Sequence, residues 1–234
     1  MAGQREYAWP KGTFLARLPA AMPAELIELG VTRAVPDGTP LVRQGEPGSL
    51  VYLILHGLVK VTTWAENGER VLLAVRVRGD VIGEMAILGG GRRSADADAC
   101  GLTSVCVIKG TAFLGYLQRH PAAGFALSGL LSDRLRWANQ RRLEFAGYDA
   151  DVCLARIVLA LAARHGHVVG EGVDIGVPLT RAELGGLIGA KEATVQRALR
   201  SLAERGWVLR GHRRVVITDM DGLTKFAEIV SRNP

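Results

Sequence analysis

Leu179-Thr180-Arg181-Ala182-Glu183-Leu184-Gly185-Gly186-Leu187-Ile188-Gly189-Ala190-Lys191-Glu192-Ala193-Thr194-Val195-Gln196-Arg197-Ala198-Leu199-Arg200-Ser201-Leu202 reads as two short amphipathic helices around a glycine turn. Leu184, Leu187 and Ile188 fall on one face of the first helix at helical spacing. Thr180 is placed to cap that helix, and Glu183 three residues on completes a capping box. Gly189 permits a tight turn, and Val195, Leu199 and Leu202 give the second helix its buried stripe. Lys191, Glu192, Gln196, Arg197 and Arg200 are left on its outward face.

That order of cap, helix, glycine turn and polar-faced helix is the pattern of a helix-turn-helix, whose second helix enters the DNA major groove. A basic hairpin follows: Arg205 to Leu209, a Gly211-His212-Arg213 turn, then Arg214 to Thr218, read as a wing. From Leu179 to Arg214 eight Lys/Arg stand against three carboxylates, a local charge of +5 within a chain of net +6. A basic patch so confined points to double-stranded DNA, because neutralising phosphates releases counterions. Candidate DNA contacts are Thr180, Arg181, Lys191, Glu192, Thr194, Gln196, Arg197, Arg213 and Arg214. Among them Arg197 suits a guanine edge and Glu192 a cytosine amino group, while Arg213, Arg214 and Thr180 suit phosphates.

The 234 residues suffice for one large domain or two modest ones, and 48% apolar content supports packed cores. The longest apolar run, Val152 to Ala163, contains Arg156 and reads as a buried helix, so no membrane partner is expected. Met1 to Pro10 lacks the apolar core of a signal peptide. Cys100, Cys106 and Cys153 lack the close spacing of a zinc or iron–sulfur cage and fit a reducing cytoplasm. As small buried apolar residues they need no further role.

From about residue 30 to 112 short apolar stretches alternate with turn residues. Val51 to Leu55, Leu58 to Val61, Val71 to Val75 and Ser104 to Ile108 read as strands, with Asn67-Gly68 a hairpin signal. Strands at this spacing predict a sandwich or jelly roll. The period then changes. Gly124, Ser128, Leu131, Leu135, Ala138, Arg142 and Phe145 step by four and three, the seam of a helix paired with a partner, most simply its own symmetry mate. The plainer alternative is that this stripe packs on its own β-domain. Gly147 to Ala150 reads as a hinge and Asp151 to His165 as a further helix that Gly166 can end. The expected domains are residues 1–116, a helix and hinge at 117–147, and 148–234.

One β-region motif carries ligand chemistry: Gly83-Glu84-Met85-Ala86-Ile87, five residues, then Arg93-Ser94-Ala95. A cyclic phosphodiester needs a positive charge, a hydroxyl and backbone N–H groups. Arg93 can grip a phosphate with two charge-assisted hydrogen bonds, Ser94 supplies a hydroxyl, and a helical turn begun at Gly83 supplies N–H groups, those of Glu84, Met85 and Ala86 included. The Glu84 carboxylate, near that anion, fits a ribose 2′-hydroxyl. The competing reading makes Arg93 and Glu84 a structural ion pair.

On these residues the chain resembles the CRP/FNR family of bacterial transcription regulators over residues 14–218. Gly45-Glu46-Pro47-Gly48, Tyr52, Ile54 and Gly57 look like its first β-roll signature, and Gly83-Glu84 with Arg93-Ser94-Ala95 like the phosphate cassette of its cyclic-nucleotide members. The resemblance implies an α+β fold: an N-terminal β-roll (a double-stranded jelly roll), a long dimerisation helix and a C-terminal winged helix-turn-helix. It also implies a homodimer that binds palindromic promoter DNA under the control of cAMP, with RNA polymerase as a further partner and no enzymatic activity. Ser128, Leu131, Leu135, Ala138 and Arg142 would line the dimer interface.

Three departures bear on the ligand and the operator. Where cAMP-binding members place a hydroxyl residue beside a polar one to hold the adenine, this chain has Ala138-Asn139, which leaves Asn139 alone as a ligand contact. Asp96 and Asp98 follow the cassette and are expected to point away if Ala95, Ala97 and Ala99 face inward. The second helix opens Lys191-Glu192-Ala193-Thr194-Val195-Gln196-Arg197, keeping the family's last arginine but not its preceding Arg-Glu pair. No iron–sulfur cluster, haem or metal is expected, since no cysteine precedes Cys100 and His56, His120, His165, His167 and His212 read as turn or surface residues. An enzyme or a kinase-type regulatory subunit on the same β-roll lacks a nucleophile–base pair in support. A regulator of this fold that takes another nucleotide, or none, remains the alternative.

Overall fold

The computed structural model describes residues 8–66, 68–170 and 172–229, so Asn67 of the expected hairpin turn and most of the N-terminal decapeptide lie outside the described residues. Two compact units divide the chain: residues 1–64 with 74–135, and residues 65–73 with 136–234.

The first unit is built on a six-stranded antiparallel sheet. Its strands are β1 (Val31–Val35), β2 (Pro40–Val42), β3 (Leu50–Trp64), β4 (Arg70–Val77, whose residues from 74 on fall in this unit), β5 (Val81–Ile82) and β6 (Asp96–Lys109). The path runs β1-β6-β3-β4, with β2 on β6 and β5 on β3. This antiparallel roll has the expected fold class, but its strands differ from the sequence reading in a physical way. Val51 to Leu55 and Leu58 to Val61 belong to one strand, because register shifts around His56 let β3 bend without ending. Ser104 to Ile108 is only the second half of β6, whose first half holds two aspartates and gives no apolar signal.

Around the sheet lie α1 (Met22–Glu28), α2 (Glu84–Gly89), α3 (Gly110–Arg119) and the start of α4 (Pro121–Gly147). Phe14, Leu26, Leu53, Ile108, Phe113 and Tyr116 fill the core with Ala123, Leu127 and Leu130 of α4. Phe14 and Phe113 meet edge to face at 6.3 Å, and the buried Tyr116 hydroxyl donates to Met22 O at 3.1 Å.

Helix α4 therefore carries two stripes about one residue apart. Ala123, Leu127 and Leu130 cover the roll, whereas Ser128, Leu135, Ala138, Arg142 and Phe145 of the predicted seam are exposed. Leu131 departs from that seam: it is half-buried and packs against the core of the roll.

The second unit contains α5 (Ala150–His165), β7 (His167–Val169), β8 (Gly172–Asp174), α6 (Arg181–Ile188), α7 (Glu192–Glu204), β9 (Val208–Gly211), β10 (Arg214–Ile217) and α8 (Met220–Ile229). Four strands pair in the order β7-β8-β10-β9. The predicted wing is thus half of a sheet. The β7–β8 hairpin went unread because three-residue strands show no alternation. His165 is the last residue of α5, where the sequence reading ended that helix, whereas His167, read as a turn or surface residue, opens β7.

Leu154, Ile157 and Val158 of α5 are buried with Leu184 and Leu187 of α6, and Val195, Leu199 and Leu202 of α7. Arg156 survives in this apolar helix by donating Nε and Nη2 to Ala227 O at 3.1 and 3.0 Å and Nη1 to Glu144 Oε1 at 3.4 Å. All three cysteines are free and buried. Among the described residues no helix is long and apolar enough to cross a membrane.

Candidate ligand cleft and nucleic-acid interface

A cleft in the first unit collects the phosphate motif. Val42, Val61, Arg76, Val81, Gly83, Glu84, Met85, Ala86, Arg93, Ser94, Asp96 and Arg134 are among the residues lining its 470 Å3 of empty space, open mouth included. Gly83 caps α2 at φ 86°, a left-handed conformation that costs a side chain-bearing residue energy. A Cβ there would lie 2.4 Å from Arg93 Nη1 and 2.9 Å from Leu50 O, so the absent side chain makes room for the arginine. Gly48 does the same from the other side, where a Cβ would sit 3.0 Å from Arg93 Cζ and 2.7 Å from Ala86 Cβ.

Arg93 is buried, and its Nη1 and Nη2 donate to Gly83 O and Leu50 O, each at 2.7 Å. Two of five guanidinium donors are thereby used to fix its plane, leaving three for an anion. Arg93 and Glu84 form no ion pair. The buried Glu84 instead accepts from Arg134 Nη1 at 2.6 Å, and Arg134 Nη2 reaches Asp80 Oδ1 at 3.2 Å and Val81 O at 3.0 Å. Arg134 is the site residue that sequence reading missed. It lies fifty positions from Glu84, and no local spacing links them.

Gly83, Glu84, Met85, Ala86, Arg93 and Ser94 are brought together as expected. Asn139 is not among the lining residues and is exposed on α4. Ala97 and Ala99 face apolar clusters as the alternation requires, yet Asp96 and Asp98 are buried, and Asp96 lines the cleft whereas Asp98 does not. Asp96 accepts from the Gln44 N–H at 2.7 Å and the Trp64 indole at 3.1 Å, while Asp98 accepts from Arg43 at 3.2 Å. Satisfying these carboxylates internally is what lets them occupy a strand interior.

The second site lies in the other unit. Thr180 caps α6 through the predicted box: its Oγ1 accepts from Glu183 N at 3.1 Å, and Glu183 Oε2 accepts from Thr180 N at 2.7 Å. Gly189 ends α6 in the left-handed conformation, and Lys191 caps α7. Between α7 and the wing, Thr180, Arg181, Glu192, Gln196, Arg200, Arg210, His212, Arg213 and Arg214 line a groove. Glu192, Gln196 and Arg200 face it as successive i, i+4 neighbours. Lys191, Thr194 and Arg197 do not line it; Arg197 is exposed on the adjacent face, its Nη2 donating to Thr194 Oγ1 at 3.4 Å. The sequence places Arg200 on the outward face of the second helix, Arg210 within the basic patch and His212 in the wing turn, but marks none of them as a DNA contact. Arg213 holds the wing turn at φ 54°.

A roll with a cation-lined cleft, followed by a winged helix-turn-helix, is the layout of a DNA-binding regulator. Comparisons agree. Residues 32–120 match the cyclic nucleotide-binding domain and residues 154–226 the Crp-like helix-turn-helix domain. The CRP-like cAMP-activated global transcriptional regulator of Mycobacterium tuberculosis is 30% identical over 192 residues, covering 82% of this chain and 86% of the relative. The cyclic AMP receptor protein of Thermus thermophilus is 30% identical over 195 residues, 83% of this chain and 87% of the relative. Among solved structures, the c-di-GMP responsive global regulator CLP of Xanthomonas campestris shares the fold at TM-score 0.75 and 19% identity, covering 86% of this chain and all of that one. The chain belongs to the CRP/FNR family. It is a transcription regulator with a cyclic nucleotide-binding domain and a DNA-binding helix-turn-helix, and its relatives are regulators, not enzymes.

Proposed function

We propose that the protein is a homodimeric regulator that binds cAMP in the β-roll and palindromic promoter DNA through its two winged helices. The observation that carries this reading is the pre-formed Arg93, its guanidinium plane fixed by Gly83 O and Leu50 O inside a cleft that also holds Ser94 and Glu84. A buried, oriented guanidinium with donors to spare matches the equatorial oxygens of a cyclic phosphate. The relatives named for cAMP give the ligand its name.

The dimer reading is supported by α4. Phe125, Leu135 and Leu143 are 79%, 62% and 67% exposed, and large apolar side chains repeated along a helix favour a partner. A symmetric dimer presents two recognition helices about one DNA turn apart, hence the palindrome, and control at promoters makes RNA polymerase in the cytoplasm the expected partner. A second reading keeps the fold and changes the ligand. Glu84 is already engaged by Arg134, and Ala138 offers no hydroxyl, so a different nucleotide, or none, would serve.

Calorimetric titration of the purified protein with cAMP, cGMP and c-di-GMP separates these. Micromolar or tighter cAMP binding that also tightens operator binding is expected. Selective binding of another nucleotide would establish the second reading, and no binding of any would remove ligand control.

A further inference from the structure

Arg214, at the base of the wing, is the one groove-lining arginine for which a buried carboxylate partner is seen among the described residues. Its Nε donates to Asp174 Oδ2 at 2.5 Å, while Asp174 Oδ1 accepts from Gly176 N at 2.8 Å. Asp174 is 7% exposed; the Arg214 side chain is about half-exposed. Asp174 comes from β8, which pairs with β10 so that Asp174 faces Val216, two residues along from Arg214 on the same side of the sheet. A carboxylate buried beneath an exposed guanidinium, and pinned by a backbone N–H, has a fixed position from which to hold that guanidinium.

We infer that Asp174 is a positioning residue for DNA: it takes the Nε of Arg214 and leaves the two terminal amino groups directed at a phosphodiester of the bound duplex. The inference rests on the reading of Arg214 as a phosphate contact. It gives the β7–β8 hairpin, which has no part in the helix-turn-helix itself, a function as the wing's backing. An untethered arginine must be immobilised when it binds, at a cost in rotamer freedom; one already held loses less. The planar fork also matters, since a phosphate is met by two parallel N–H groups only when the guanidinium presents its edge.

Simple electrostatics and positioning predict opposite signs. Removing a negative charge beside a DNA-binding surface strengthens attraction for a polyanion. Removing a tether weakens the contact. Asp174→Asn keeps the size of the side chain and an oxygen for Gly176 N, so it separates the two.

The test measures binding of the full-length protein to a labelled mixed-sequence duplex by fluorescence anisotropy over a series of salt concentrations, with thermal unfolding as the check on folding. Arg214→Ala should weaken binding about tenfold and reduce the salt slope by about one. Asp174→Asn should weaken it about three- to tenfold, and its effect should vanish in the Asp174→Asn/Arg214→Ala double variant. Arg214→Lys, which keeps the charge and loses the Nε tether, should weaken binding to the same degree, and it carries the test if Asp174→Asn does not fold. If Arg214→Ala weakens binding but Asp174→Asn or Arg214→Lys binds as tightly as the parent, the positioning role is overturned and the wing contact stands. If Arg214→Ala binds unchanged, the wing contact fails and the positioning role with it.

Discussion

Arg134 holds Glu84 across 2.6 Å, linking the long helix α4 to the first residue of α2 at the cleft. The Glu84 side chain is 4% exposed, and Asp80 shares the same guanidinium at 3.2 Å. Removing the cation strands two carboxylates away from water. Arg134→Ala should therefore destabilise the roll by about 3–5 kcal/mol, the usual effect of breaking a buried pair from one side. Urea unfolding measures it. Adding Glu84→Gln should recover part of the loss, and a double variant no better than the single would show that Glu84 is not the stranded group.

Glu84 also separates the two readings of the ligand. If its carboxylate takes a ribose hydroxyl, Glu84→Gln should reduce cAMP affinity more than that of the 2′-deoxy analogue. Equal losses for both would leave Glu84 with only its structural partner, Arg134. Arg93→Lys should be more severe. A lysine cannot reach Gly83 O and Leu50 O and still offer a fork to a phosphate, so cAMP affinity should fall at least about tenfold, the value of one charge-assisted bond. Unchanged affinity by calorimetry would refute the assignment of the cleft.

Leu135 is exposed on α4, so Leu135→Asp should leave the subunit folded while placing like charges across a two-fold seam. Light scattering should report a monomer. Leu131 is a poorer probe, because it packs against the core of its own roll and its loss would unfold the subunit as well. A stable Leu135→Asp dimer with parental affinity between subunits would show that the helix pairs through another face.

Asp174 has a pH signature. Burial pushes its carboxyl up, but the Arg214 hydrogen bond, the Gly176 N–H and the charges of Arg214 and His167 outweigh this and hold it below its ordinary value. A depressed folded value means that ionised Asp174 stabilises the native state at pH above its unfolded value of about 3.9, and that this contribution is lost as pH falls through the lower folded value. Asp174→Asn should accordingly be less stable than the parent at neutral pH, with the gap closing as the medium becomes acidic. Urea midpoints across that range check it; a gap that is constant with pH would mean the carboxylate's charge contributes nothing.

What the sequence made legible was local. The capping box at Thr180 and Glu183, the turn at Gly189 and the stripe of Val195, Leu199 and Leu202 are all set within a few residues, and each has its counterpart in the fold. The same holds for Gly83 to Ser94, a cassette whose members lie within twelve residues. Arg134 with Glu84, and Arg214 with Asp174, are separated by fifty and forty positions, and only sheet register and helix packing bring them together. The burial of Asp96 and Asp98 was illegible for the same reason. Alternation predicts which face a strand residue occupies but not whether Gln44, Trp64 and Arg43 wait there to satisfy it.

The groove between α7 and the wing sorts the basic residues by role. Gln196 and Arg200 line it with Glu192, whereas Arg197 stands exposed one residue round the helix, its Nη2 3.4 Å from Thr194 Oγ1. A recognition helix inserts its N-terminal, exposed face toward base edges, and residues flanked by a wing track the backbone. Arg197→Ala should then cost about 1–3 kcal/mol on the cognate operator and relax preference at one base pair per half-site. Arg213→Ala, in the wing turn, should weaken all sequences alike and flatten the salt slope by about one. Arg200→Ala should follow Arg213 if it meets phosphate and Arg197 if it meets a base, which its place inside the groove leaves to the measurement. Selection from a random duplex library with each variant distinguishes these outcomes. An Arg197→Ala protein that selects the parental sequence unchanged, while Arg200→Ala alters it, would move base reading from the exposed face of α7 to the face that lines the groove.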